Sequence, residues 1–206
     1  MKINSSKKKF LYLISPNKIK SKFYSDLKKI LKFNTVKFFQ LRIKNTSLRK
    51  KIYIGKKIKK ICKTYNVKFL VNDDPFLSKK LEADGCHLGQ KDMNIDLARK
   101  ILGNKIIGIT CHNSILLAKK ALKQKADYLA FGAFFPTKTK KITHKANISI
   151  IKKARKITKK PIVAIGGIND KNYKNLLLNN VNFLAISSYI FNNKKYKPEQ
   201  AIKRLI

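Results

Sequence analysis

Forty-nine Lys and Arg face only ten Asp and Glu in this 206-residue chain, so any place where carboxylates gather is informative. One gathering is Asn72-Asp73-Asp74, directly after an apolar run, and another is Asp92, which closes His87-Leu88-Gly89-Gln90-Lys91-Asp92 after the next run. Magnesium is a hard cation commonly held by one or two carboxylates together with water and phosphate oxygens. Asp73 and Asp92 are therefore candidates to hold such an ion against a diphosphate, whereas Asp74, directly before Pro75, suits the cap of the following helix.

Cations gather as well, in Gln40-Leu41-Arg42-Ile43-Lys44. If that segment is extended, alternation puts Gln40, Arg42 and Lys44 on one face. Polar groups aimed at a protein interior cost free energy unless they find partners, and two cations with an amide suit an anionic ligand. Thr137, Thr139 and Lys140 lie in one loop and are further anion donors. The pair Gly166-Gly167 and the pair Ser187-Ser188 each close an apolar run, where backbone N–H groups and hydroxyls can approach a phosphate. His87, His112 and His144 share no zinc-type spacing. His87 reads as a hydrogen-bonded interior residue, and no nucleophile constellation is present.

Groups so far apart in sequence need a scaffold that gathers strand ends. Eight runs rich in Ile, Val and Phe, at 10–15, 36–43, 67–71, 85–88, 105–110, 128–134, 161–165 and 181–187, alternate with lysine-rich segments of helical spacing. The runs lack clean alternation, as expected of parallel strands covered on both faces. Eight strand-then-helix units predict an α/β fold, a single-domain (β/α)8 TIM barrel over residues 1–206, with about 26 residues per unit. A doubly wound open sheet competes, but the barrel explains why the unusual residues fall at the ends of many strands.

Composition narrows the setting. Hydrophobic residues at 44% exclude disorder for most of the length, and no apolar run approaches the ~20 residues that cross a bilayer. Three cysteines without CxxC spacing read as reduced thiols, which predicts a cytoplasmic protein that uses neither membrane nor disulfides. A net charge of +39 invites a nucleic-acid partner, but only five of the bases are Arg and the lysines are spread along the chain. Most of them read as solvated helix faces, with no specific nucleic acid implied.

The motifs together resemble the thiamine phosphate synthase family. They are Gln40-Leu41-Arg42-Ile43-Lys44, Asn72-Asp73, Ala83 to Asp92, Gly108-Ile109-Thr110-Cys111-His112, Ala126-Asp127-Tyr128 onward to Phe135-Pro136-Thr137-Lys138-Thr139-Lys140, Val163 to Ile168 and Ile186-Ser187-Ser188, in family order. The resemblance implies a transferase that joins hydroxymethylpyrimidine diphosphate to a thiazole phosphate, or its carboxylated form, giving thiamine phosphate and diphosphate with Mg2+ as cofactor. It implies that Gln40, Arg42, Lys44 and Asn72 contact the pyrimidine diphosphate and that Lys140 binds its diphosphate. Asp73 and Asp92 would ligate magnesium, Thr137 and Thr139 would contact the thiazole substrate, and Gly166, Gly167, Ser187 and Ser188 would hold its phosphate. Arg42, Lys44 and Lys140 are then the groups expected to assist catalysis. Thr110, which the resemblance also places among the substrate-binding residues at the pyrimidine, stands where many members have serine, and Asp74 where many have arginine. Two rivals stand beside this reading: a thiazole tautomerase-like barrel, which needs no aspartate pair, and a basic RNA- or membrane-surface-binding protein on a barrel scaffold.

Overall fold

Each apolar run becomes a short strand and each lysine-rich segment a helix in the computed structural model, which describes residues 10–137 and 144–206. In chain order these are β1 (Leu11–Ile14), α1 (Lys22–Leu31), β2 (Val36–Leu41), α2 (Leu48–Thr64), β3 (Lys68–Asn72), α3 (Pro75–Lys80), β4 (Gly85–Leu88) and α4 (Ile95–Leu102). They continue as β5 (Ile106–His112), α5 (Ile115–Lys123), β6 (Tyr128–Gly132), α6 (Ile148–Ile157), β7 (Ile162–Ile165), α7 (Tyr173–Leu178), β8 (Phe183–Ile186), α8 (Ser188–Phe191) and α9 (Pro198–Lys203). Every strand pairs in parallel with its sequence neighbours, and β8 returns to β1, so the sheet closes into a barrel. The (β/α)8 expectation is met.

Two apolar layers hold the barrel. The larger lies between sheet and helices; α2, for example, buries Ile54, Ile58, Ile61 and Cys62 at helical spacing. Gly55 keeps that helix close, because a Cβ there would come within 2.5 Å of Leu81. Truncating a fully buried side chain such as Ile58 to Ala would cost about 2–5 kcal/mol. The smaller layer fills the barrel interior with Tyr12, Ile14, Phe38, Leu70, Tyr128, Ala130, Val163 and Ala185. Gly108 makes room for the Tyr128 ring, which a Cβ at that position would approach to 1.8 Å. All three cysteines are buried and unpaired, and no helix among the described residues is long and apolar enough to cross a membrane.

Helix starts sit just beyond the strands' carboxyl ends. Asp74, Asn94 and Ser114 accept from the backbone N–H of Leu77, Leu97 and Leu117, so the turns at this end are short and fixed. The cap expected of Asp74 is therefore present. At the opposite end, the residue before each of β4, β6 and β8 reaches back to the strand before it. Asp84 accepts from Phe69 N–H (2.9 Å), Asp127 from Ile107 N–H (2.8 Å) and Asn182 from Ile162 N–H (2.8 Å).

One expectation needs correction. The second strand ends at Leu41, not Ile43, because side chains of the β1 loop capture the next amides: Arg42 N–H donates to Ser15 Oγ (2.8 Å) and Lys44 N–H to Asn17 Oδ1 (2.8 Å). Gln40 therefore belongs to the strand, while Arg42 and Lys44 stand on the loop beyond it.

Candidate active site

Asp73 occupies the first position after β3 with φ of 64°, a left-handed conformation that Asp tolerates better than most residues. Its N–H donates to the carbonyl of His87 on β4, 2.8 Å away, which ties the turn to the neighbouring strand. Asp92 is folded back in its own turn, where Oδ2 accepts from Gly89 N–H at 2.7 Å. The two carboxylates meet in hydrogen-bond contact. Burial, then the hydrogen bond and charge of Asp92, push the Asp73 carboxyl up to about 6, and the nearby Lys44 and Arg42 only partly offset this. Lys44 Nζ lies 3.8 Å from Asp73 Oδ2. The structure thus brings Arg42, Lys44, Asp73 and Asp92 into one cluster at the barrel mouth.

The donor set tests the magnesium expectation. Two carboxylates held against each other, one of them clinging to its proton, are short of positive charge. Among the described residues no group of three or more His, Cys, Asp or Glu forms a fuller cage. A pair of hard oxygen donors suits Mg2+, which keeps water and phosphate in the rest of its shell.

Below this cluster a chain of hydrogen bonds crosses the barrel. Gln40 Nε2 donates to Asn72 Oδ1, and Tyr12 OH donates to Gln40 Oε1 at 2.7 Å. Tyr12 OH also meets Tyr128 OH (2.8 Å), Tyr128 OH meets His87 Nδ1 (2.8 Å), and His87 Nε2 meets Thr110 Oγ1 (2.9 Å). The four middle members are buried, and only Asn72 and Thr110 at the ends are half-buried. Burial pulls His87 down to about 4, so its ring is neutral at neutral pH. His87 is the hydrogen-bonded interior residue expected from the sequence.

Tyr12 and Tyr128 were not legible as site residues. Their only signal is a hydroxyl inside an apolar run, and 116 residues separate them.

The glycine pair after β7 packs against the loop after β6. Gly166 and Gly167 have φ of 104° and 61°, and a Cβ at Gly166 would lie 2.4 Å from that of Ala133. At Gly167 a Cβ would lie 2.3 Å from the carbonyl of Pro136. These glycines admit the loop after β6, whose Phe135 N–H donates to the Gly166 carbonyl at 3.1 Å. Thr137 is on that loop; Thr139 and Lys140 lie outside the described residues. Ser187 Oγ donates to the Ser15 carbonyl (3.4 Å), and Ser188 opens α8. Gly166 and Gly167 lie at the carboxyl end of β7, Ser187 and Ser188 at that of β8, and Ser15 at that of β1.

Comparison with known proteins is decisive at this point. The family model described as thiamine monophosphate synthase matches residues 11–190. The chain belongs to the thiamine monophosphate synthase family. The thiamine-phosphate synthase of Pelagibacter ubique is 63% identical over 206 residues, all of both chains. That of Saccharophagus degradans is 41% identical over 165 residues, 79% of this chain and 76% of the relative. The solved thiamine phosphate pyrophosphorylase of Pyrococcus furiosus superposes with a TM-score of 0.84 at 31% identity, covering 97% of this chain and 94% of that one. Membership of the thiamine monophosphate synthase family makes the chain a transferase for thiamine phosphate synthesis that acts on small molecules.

Proposed function

We propose that the barrel mouth joins hydroxymethylpyrimidine diphosphate to a thiazole phosphate or its carboxylated form, releasing diphosphate, by a dissociative substitution in the cytoplasm. The observation that carries the reading is the Asp73–Asp92 contact beside Lys44 and Arg42. An acid whose proton affinity is raised by burial and by a facing carboxylate, with two cations on the adjoining loop, suits a metal and a polyanion together.

Asp73 and Asp92 would hold Mg2+, which when bound supplies positive charge to the leaving diphosphate. Arg42 and Lys44 bind that diphosphate from the loop after β2, and Lys140 joins them. As the bond between the pyrimidine methylene carbon and the diphosphate oxygen breaks, negative charge builds on the leaving group, and fixed cations stabilise it without reorganising. The electron-rich aminopyrimidine bears the positive charge left behind. Gln40 and Asn72 hold its ring, and the thiazole nitrogen then closes the new bond to the methylene carbon. Thr137 and Thr139 orient the thiazole, and Gly166, Gly167, Ser187 and Ser188 hold its phosphate. No protein nucleophile enters this scheme; positioning and charge do the catalysis.

The test is direct. Purified protein given both substrates and Mg2+ should form thiamine phosphate and diphosphate in equal amounts, and a folded protein that forms neither overturns the reading.

A further inference from the structure

The hydrogen bonds across the barrel interior have a direction, and chemistry fixes it from one end to the other. Tyr12 has a single hydroxyl hydrogen and gives it to Gln40 Oε1. Its oxygen must then accept from Tyr128, so the 2.8 Å contact between the two hydroxyls runs from Tyr128 to Tyr12. Tyr128 has now spent its own hydrogen and can only accept from His87 Nδ1, 2.8 Å away. His87 therefore carries its hydrogen on Nδ1, and its bare Nε2 accepts from the Thr110 hydroxyl at 2.9 Å. At the other end Gln40 Nε2 donates to Asn72 Oδ1. Five bonds point the same way, through side chains contributed by β1 to β6.

The ends are left complementary. Asn72 has used its acceptor and keeps its Nδ2 hydrogens, which have no partner among the described residues; Thr110 Oγ1 has used its hydrogen and keeps lone pairs. Both ends are half-buried while Tyr12, Tyr128 and His87 are buried across the interior, so the free donor and acceptor of the relay lie at its two ends. We infer that Tyr12, Tyr128 and His87 are positioning residues that preset a donor at Asn72 and an acceptor at Thr110, selecting a ring that offers an acceptor beside a donor, as an aminopyrimidine does. This inference rests on the pyrimidine reading above for its ligand, but not for the direction of the relay. The Tyr128 ring stacks on His87 at 15° with 5.6 Å between centroids, which holds the imidazole in the orientation the relay needs. Reversing one bond requires reversing all: both amides turn over, both tyrosines turn, and the histidine exchanges tautomers. The reversed relay would offer an acceptor at Asn72 and a donor at Thr110, the pattern that suits an oxopyrimidine with its ring N–H.

Two measurements test this. Nitrogen-15 NMR of ligand-free protein at pH 7 should show neutral His87 with its hydrogen on Nδ1; hydrogen on Nε2 overturns the inference whatever the enzyme does. In turnover, Tyr12→Phe deletes the hydrogen that orients Gln40. It should raise KM for the aminopyrimidine diphosphate more than it lowers kcat, and reduce the preference for the amino over the 4-oxo analogue by about tenfold or more. Tyr128→Phe serves if Tyr12→Phe fails to fold. A variant that slows both analogues equally, leaving the preference intact, shows a purely structural role and overturns the assignment. If the wild type makes no thiamine phosphate, the substrate reading falls, while the tautomer still decides the direction of the relay.

Discussion

Carboxylates at the two ends of the barrel live in opposite chemistry. At the amino ends of the strands Asp127 meets Arg99 Nη2 and the Ile107 N–H, both at 2.8 Å, and Asp84 meets Lys68 (2.8 Å) and the Phe69 N–H. Glu82 nearby is held below the usual carboxylate range by its hydrogen bond to Lys59. At the carboxyl ends Asp73 is pushed the other way, up to about 6, with Lys44 no closer than 3.8 Å. In a chain with so many lysines, cations are easily supplied to every acid. That Asp73 and Asp92 instead face each other is what the proposed ion and diphosphate would answer at the mouth, whereas the acids of the other end hold strands in register. A cleft of about 690 Å³ opens at that amino end, lined by Asp96, Arg99, Lys123, Lys125, Asp127 and Lys160. Its size does not make it the site, because Arg99 is already committed to Asp127 and to the carbonyls of Gly103 and Lys105.

Removing one acid from each end should separate the two roles. If Asp92 holds the ion as proposed, Asp92→Ala should lower turnover by about 10²-fold or more. Its melting temperature should change little, because the lost bond to Gly89 is offset by relief of Asp73; wild-type turnover would break the comparison. Proton linkage gives the next effect. Because the folded Asp73 value is raised above 3.8, this group favours the metal-free fold below about pH 4, and that advantage is lost as pH rises through about 6. A cation must displace that proton, so Mg2+ affinity measured by calorimetry should fall by about tenfold per pH unit below 6. Affinity flat from pH 7 to 5 would contradict the shared proton.

Asp127→Ala should do the reverse of Asp92→Ala, costing about 2 kcal/mol in a urea titration by orphaning the Ile107 N–H, with turnover per folded molecule unchanged. The smallest effect is expected for Lys68→Ala, under about 1 kcal/mol, because its pair with Asp84 is 47% exposed on the lysine side.

The barrel was legible because parallel strands covered on both faces must be apolar throughout, and the eight runs coincide with the eight strands. The end of β2 was not, since Ser15 and Asn17, distant in sequence, capture the amides of Arg42 and Lys44. Asp73 and Asp92 stood out because acids are scarce, and their turns bring them into contact as the strand ends suggested. Gly166 and Gly167 were visible as special, but their neighbour, the loop after β6, depends on closure of the barrel. The relay through Tyr12 and Tyr128 was hidden for the same reason: a tyrosine in an apolar run looks like filler until strands β1 and β6 face each other across the interior.

Calorimetric titration of Mg2+ in the presence of inorganic diphosphate, on the wild type, Asp92→Ala and Asp127→Ala, tests the central contrast most directly. Tight binding by the wild type and Asp127→Ala, with at least tenfold weaker binding by Asp92→Ala, is the predicted result. Equal affinity in all three proteins would show that the facing carboxylates are not where the ion is held.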